Sequence, residues 1–289
     1  AEAKEMLSTA EGTTGDKIDM KSDVAVTLES AASVDLADLK AIEDATTGLV
    51  TATAVTSATG TVAEAKEMLS TAEGTTGDKI DMKSDVAVTL ESAASVDLAD
   101  LKAIEEGTTG LVTATAVTSV AGSSSEIGAV FAAEGTTGNK IDMAGNVAVT
   151  IDETSADLTD LKRAEDATTG LVTATAVTSA TGTVAEAVEM LSTAEGTTGD
   201  KIDMKADVAV TLESAASVDL ADLKTIEDAT TGLVTATAVT SAAGTLAEAK
   251  EMLSTAEGTT GDKIDMKSDV AVTLESAASV DLADLKAIE

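Results

Sequence analysis

The stretch Asp35–Ser57, DLADLKAIEDATTGLVTATAVTS, returns nearly letter for letter from Asp97, Asp157 and Asp219, and begins again at Asp281. The starts are evenly spaced except that the Asp157 copy arrives two positions early. A unit that recurs at a fixed period of this length buries its apolar face against its neighbours, so the chain reads as an array with no single centre.

Between these stretches lies a second one. Thr61–Val96, TVAEAKEMLSTAEGTTGDKIDMKSDVAVTLESAASV, recurs from Ser123 and Thr183 and, with Leu for Val, from Thr245. Call this half A and the opening stretch half B. Half-A coils are expected at about 1–34, 61–96, 123–156, 183–218 and 245–280, and half-B coils at about 35–60, 97–122, 157–182, 219–244 and 281–289. That makes about ten coils in five 62-residue double repeats, read as one continuous array over 1–289. Ala1 aligns with Ala63 and Glu289 with Glu43, both inside helices, so the window reads as cut from a longer chain.

Laid over one another, the halves put Val62 on Leu36, Ala65 on Leu39 and Met68 on Ile42, the spacing of one helical face. Each half opens with a capping signal: Thr61 with Glu64, and Asp35 with Asp38, whose shorter carboxylate is the weaker partner. The TTG segments predict the helix ends, with Gly48 and Gly74 as C-terminal caps and helices of about 10 to 12 residues. Beyond the glycine the period changes to two. LVTATAVTS in half B and KIDMK then VAVTL in half A read as short strands, with a corner at the SD before Val86.

One helix followed by short strands, repeated in one sense, predicts an α/β repeat solenoid: parallel strands stacked coil on coil, with helices along one side and right-handed crossovers. Strands stack at about 4.8 Å and helices at roughly 8 to 10 Å. Ten evenly spaced helices over ten strand layers would therefore fan out, which predicts that helices are tilted, staggered or displaced between A and B coils.

Composition narrows the function classes. There is no Cys, His, Pro, Trp or Tyr, and Phe131 is the only aromatic residue. The commonest nucleophile–base pairs, soft-metal ligand sets and aromatic platforms for bases or sugars are absent, so no catalytic, cofactor-binding or metal residue is assigned and no enzyme is expected. The net charge of −34, from 52 acidic against 18 basic residues, repels polyanions and excludes nucleic acid as a partner. No apolar run reaches the roughly 18 to 20 residues of a membrane span.

Three repeated constellations could carry chemistry. The acidic cluster Asp78, Asp81 and Asp85 recurs as Asp16, Asp19 and Asp23, as Asp200, Asp203 and Asp207, and as Asp262, Asp265 and Asp269. The third copy is Asn139, Asp142 and Asn146. Crowded oxygens can hold Ca²⁺, but Lys79 and Lys83 lie between the acids, which favours a solvated strand face. The pairs Thr51/Thr53, Thr113/Thr115, Thr173/Thr175 and Thr235/Thr237 resemble the T-x-T arrays of ice-binding faces; a half-A strand in every second layer is expected to interrupt them. The carboxylates Glu43 and Asp44, or Glu64 and Glu67, read as an outer helix face. In the third repeat, Phe131 takes the place of Leu69 beside a helix one residue shorter, and is expected to fill a packing gap.

DLADLKAI helices, ATTG punctuation and VTATAV strands together resemble the long repetitive surface, adhesin-like or β-strand-repeat proteins of marine cyanobacteria and related bacteria. The resemblance implies an extracellular or cell-surface structural protein, a filament, stalk or surface layer that associates with itself end to end or side by side. The alternative expectation is an adhesin or a Ca²⁺- or ice-binding module.

Overall fold

The computed structural model describes residues 2–8, 21–29, 33–71, 80–137, 140–193, 202–213, 215, 217–255, 264–275 and 280–288. The chain forms two compact units, one of residues 1–121 with 129–147 and one of 122–128 with 148–289. Both are built from the same helix-and-strand coils, an α/β repeat solenoid of parallel sheets.

Half-A helices are α1 (Glu2–Ser8), α3 (Val62–Thr71), α5 (Ser124–Ala132), α7 (Val184–Thr193) and α9 (Leu246–Thr255). Half-B helices are α2 (Leu36–Asp44), α4 (Leu98–Glu106), α6 (Leu158–Ala167), α8 (Leu220–Ala229) and α10 (Leu282–Ala287). The expected capping box forms in half A. The Thr61 N–H and hydroxyl both donate to Glu64 Oε2 at 2.9 Å, and the Glu64 N–H donates to Thr61 Oγ1 at 3.3 Å. In half B, Asp35 accepts from the Ala37 N–H at 2.8 Å, but Asp38 is bonded to Lys4 of the neighbouring helix. One carboxylate is the cap and the other faces outward.

In half B, α6 and α8 have ten residues, as expected, while α2 and α4 have nine. α2 ends at Asp44 with Ala45 as its C-cap, so Gly48 is not the cap. A Cβ on Gly48 would collide with the Val24 carbonyl, and the same holds for Gly110 against Val86 and Gly232 against Val208. These glycines let one coil's backbone touch the corner of the coil before it. Gly74 lies outside the described residues.

Two strands go beyond those expected from the sequence: the VD pair such as Val34–Asp35, whose local pattern reads only as a helix start, and Ser57–Gly60, since LVTATAVTS is a strand only over Val50–Ala52 before a turn breaks it. In the first unit, Val34–Asp35, Ser57–Gly60, Ala87–Leu90, Val112–Ala114 and Ile141–Met143 form one parallel sheet in that order. In the second, Ser155–Asp157, Ser179–Gly182, Ala209–Leu212, Val234–Ala236 and Ile264–Met266 form another. Each of these sheets takes one strand of every kind in the same sequence. The remaining strands of the first unit pair as Val26–Thr27, Val50–Ala52 and Ile80–Met82, and as Val96–Asp97 with Ser119–Gly122. In the second unit they are Ala148–Ile151, Val172–Ala174 and Ile202–Met204, and Val218–Asp219, Ser241–Gly244 and Ala271–Leu274.

The registers answer the spacing problem posed by the sequence. In the second unit the helices α6, α7 and α8 begin at Leu158, Val184 and Leu220. The ladder beside them pairs Ala156 with Ala180, and Ala180 with Val210, so it advances along the chain by less than the helices do and falls steadily behind them. The slip can be followed strand by strand. Asp157 runs straight into α6, Gly182 is separated from α7 by Thr183, and Leu212 is separated from α8 by everything from Glu213 to Asp219. Among the described residues the strand layers thus fall out of step with the helices, so one strand layer does not correspond to one helix along the array.

The core is small-residue and layered. In the second unit Ala156, Ala180, Val210, Val234 and Ile264 make one buried row across the sheet. Leu220, Leu223 and Ile226 of α8 and Ala249 and Met252 of α9 are buried, the faces set by the period of the helix. Phe131 is buried.

Candidate functional site

The sequence-derived candidates separate in the structure. Asp16, Asp19, Asp78, Asn139, Asp200 and Asp262 lie outside the described residues. Of the rest, Asp81 stands on a strand in register with Thr51, and Asp85 sits at the corner, paired with Lys83 at 3.0 Å. Among the described residues no three acidic side chains converge as a metal site.

The helix carboxylates are engaged in folding. Glu64 closes its capping box, and Asp44 and Glu67 share Lys40 at 3.3 and 2.6 Å. This last contact is one rung of a series. Lys162 bridges Asp166 and Glu189, and Lys224 bridges Asp228 and Glu251. From half A to half B, Lys4 pairs with Asp38, Lys66 with Asp100 and Lys250 with Asp284. In the pairs with Glu67, Glu189, Glu251, Asp38, Asp100 and Asp284 a lysine on one helix reaches an acid on the next. The neighbouring carboxylates raise the pKa of Lys40, Lys66, Lys162 and Lys224 above the ordinary lysine value. Hydrogen bonds from the cap backbone hold Glu126 and Glu186 below the ordinary carboxylate value. Burial, with Asp142 nearby, pushes Glu134 up.

The threonines depart most from expectation. Thr51 and Thr113 lie on strands, but Thr53, Thr115, Thr175 and Thr237 lie beyond the strand end or in the following turn, so T-x-T is not one strand face. A half-A strand does not always interrupt the ladder, because AVTL carries its own threonine in register. Across the first five-stranded sheet the row is Asp35, Thr59, Thr89, Thr113 and Asp142. Across the second it is Asp157, Thr181, Thr211, Thr235 and Asp265. Three threonines stand in adjacent layers at the ordinary strand spacing of about 4.8 Å, closed at each end by an aspartate. The SATG and AVTL threonines lack the T-x-T texture, and nothing local marks Thr59 and Thr89 as partners.

The first threonine of TTG is a residue whose role the local pattern hides. Thr108 is buried; its hydroxyl donates to the Val86 carbonyl at 2.6 Å and accepts from the Gly110 N–H at 3.0 Å. Thr46 and Thr230 repeat this on Val24 and Val208. The next residue adds a backbone bond, Thr109 N–H to the Ser84 carbonyl at 2.8 Å. ATTG is a clasp on the preceding coil, more than a helix terminator.

An open groove lined by Val270, Val272, Leu282, Leu285 and Ile288 lies beside α10. Leu282 is 81% exposed, whereas its counterparts Leu36, Leu98, Leu158 and Leu220 are fully buried. Among the described residues no helix is long and apolar enough to cross a membrane. Comparison with protein-family models, curated proteins and solved structures returned no match.

Proposed function

We propose that this chain is a structural repeat protein, a non-catalytic extracellular spacer in a filament, stalk or surface layer. The observation that carries the reading is the equivalence of its coils. The same threonine clasp and the same lysine rungs recur along the array, and the Asp–Thr–Thr–Thr–Asp row stands once in each unit. Residues repeated in this way describe a surface and a framework, where a catalytic centre needs one constellation unlike the others. Self-association, end to end or side by side, belongs to the proposal, because coils that each stack on their neighbours suit further coils of the same kind. Electron microscopy of the purified protein tests it. Elongated particles that join end to end or side by side are expected, and compact, non-associating particles would overturn it.

A second reading, a water-ordering or ice-binding surface, is favoured by the in-register threonine rows. Each row is one threonine wide, since the neighbouring outward column pairs Ser57 with Ala87. Thermal hysteresis at millimolar protein concentration decides between the two; its absence removes the second reading. The Ca²⁺ alternative predicts a melting temperature that climbs with millimolar Ca²⁺, by about 2.7 kcal/mol of added stability at 100 times Kd.

A further inference from the structure

The third repeat differs from its neighbours at two facing positions. On α5, Gly128 stands where α3 and α9 have Lys66 and Lys250 and α7 has Val188. On α6, Arg163 stands where α2, α4 and α10 have Ala41, Ala103 and Ala287 and α8 has Thr225. A Cβ on Gly128 would lie 2.5 Å from Arg163 Nη1 and 2.8 Å from Asp160 Oδ1. Arg163 Nη1 donates to Asp160 Oδ1 at 2.5 Å. The guanidinium therefore lies over bare backbone and gives Asp160 the cation that Lys66 gives Asp100. The cation has changed helices, and the glycine is the space that admits it.

Core volumes shift in the same coil and in opposite directions on the two helices. α5 buries Ile127 and Phe131 where α3 buries Ala65 and Leu69, while α6 buries Ala164 where α2 buries Ile42.

We propose that Gly128 and Arg163 form a register key, a complementary pair that marks the third repeat within an otherwise interchangeable array. Coils this similar can stack on the wrong partner, one repeat away, with little lost contact elsewhere. The key penalises that error from both sides. Arg163 set against a half-A helix carrying Lys66 or Lys250 would meet a second cation and lose its space; set against Val188 it would lose the space alone. α5 set against α2, α4 or α10 would leave Asp38, Asp100 or Asp284 without its lysine. Discrimination of this kind comes from repulsion as much as from the correct contact.

The test uses the whole chain with G128K, R163A and the double variant G128K/R163A, which restores the lysine rung of the other repeats. Each single variant is expected to melt about 2–4 °C lower and to speed amide exchange in α5 and α6. The G128K loss should shrink in high salt, because like charges are being screened. The double variant is expected to recover the original midpoint. Single effects that simply add, or a G128K chain as stable as the parent, would overturn the complementary pair. Refolding from urea then tests the key itself. At matched stability the double variant should give more misassembled material by size exclusion than the parent, and equal yields would overturn the register role.

Discussion

A hydroxyl and a missing methyl set how one coil grips the next. Thr108 is isosteric with valine, so Thr108→Val keeps the packing and removes only the bonds to the Val86 and Ser84 carbonyls and the Gly110 N–H. Leaving such buried groups unpaired costs about 1–3 kcal/mol, and the loss should appear as faster amide exchange around Val86 and Gly110. Gly110→Ala drives a Cβ into the Val86 carbonyl, which belongs to backbone and cannot swing aside. Gly145→Ala meets nothing within 4 Å and is expected to be neutral or to stabilise by about 0.4–1 kcal/mol. Comparing the two alanine variants by urea titration separates close approach from chain entropy. Equal effects would show that the Gly110 contact is not what matters. The TTG glycine is visible in the sequence, but as a cap; that it touches the backbone of Val86, in the coil before, is not.

At the scale of the helix, the capping boxes couple stability to pH. Cap hydrogen bonds hold the Glu186 carboxyl below its ordinary value of 4.5. A depressed carboxylate contributes stability that is fully present above the unfolded value and is lost as pH falls through the folded one. The α7 cap should therefore weaken below about pH 4.5, and Thr183→Val should flatten that acid limb of the melting curve. It should also cost about 0.5–2 kcal/mol at neutral pH. An acid limb unchanged by the substitution would place the titration elsewhere, Glu126 in α5 being the nearest equivalent. The boxes were legible because S/T-x-x-E is a local pattern. The fate of Asp38 was not, since its lysine comes from another helix.

Over the whole molecule, attraction and repulsion between charges compete. Exposed rungs such as Lys224–Glu251 contribute little at a protein surface, where solvent screens them, whereas the net charge of −34 is distributed over every coil. Contact pairs lie well inside the Debye length of about 10 Å at 0.1 M salt, while repulsion between more distant carboxylates does not. Salt should therefore weaken the repulsion more than the rungs, and the melting temperature should rise between about 10 and about 500 mM NaCl. A fall over that range would show that the rungs dominate.

The sequence by itself determined the period, the two related halves, the helix faces and N-caps, and the class of fold, because each depends on residues within one turn or one strand of each other. The tertiary structure decided how the strands join. A ladder that links Ala156 to Ala180 and then to Val210, beside helices that start at Leu158, Val184 and Leu220, cannot be read from local pattern, since hydrogen bonds between coils choose the offset. That offset brings Thr59, Thr89 and Thr113 into one row and carries Thr46 to the corner at Val24. Local chemistry made the coils; packing between them chose which residues meet.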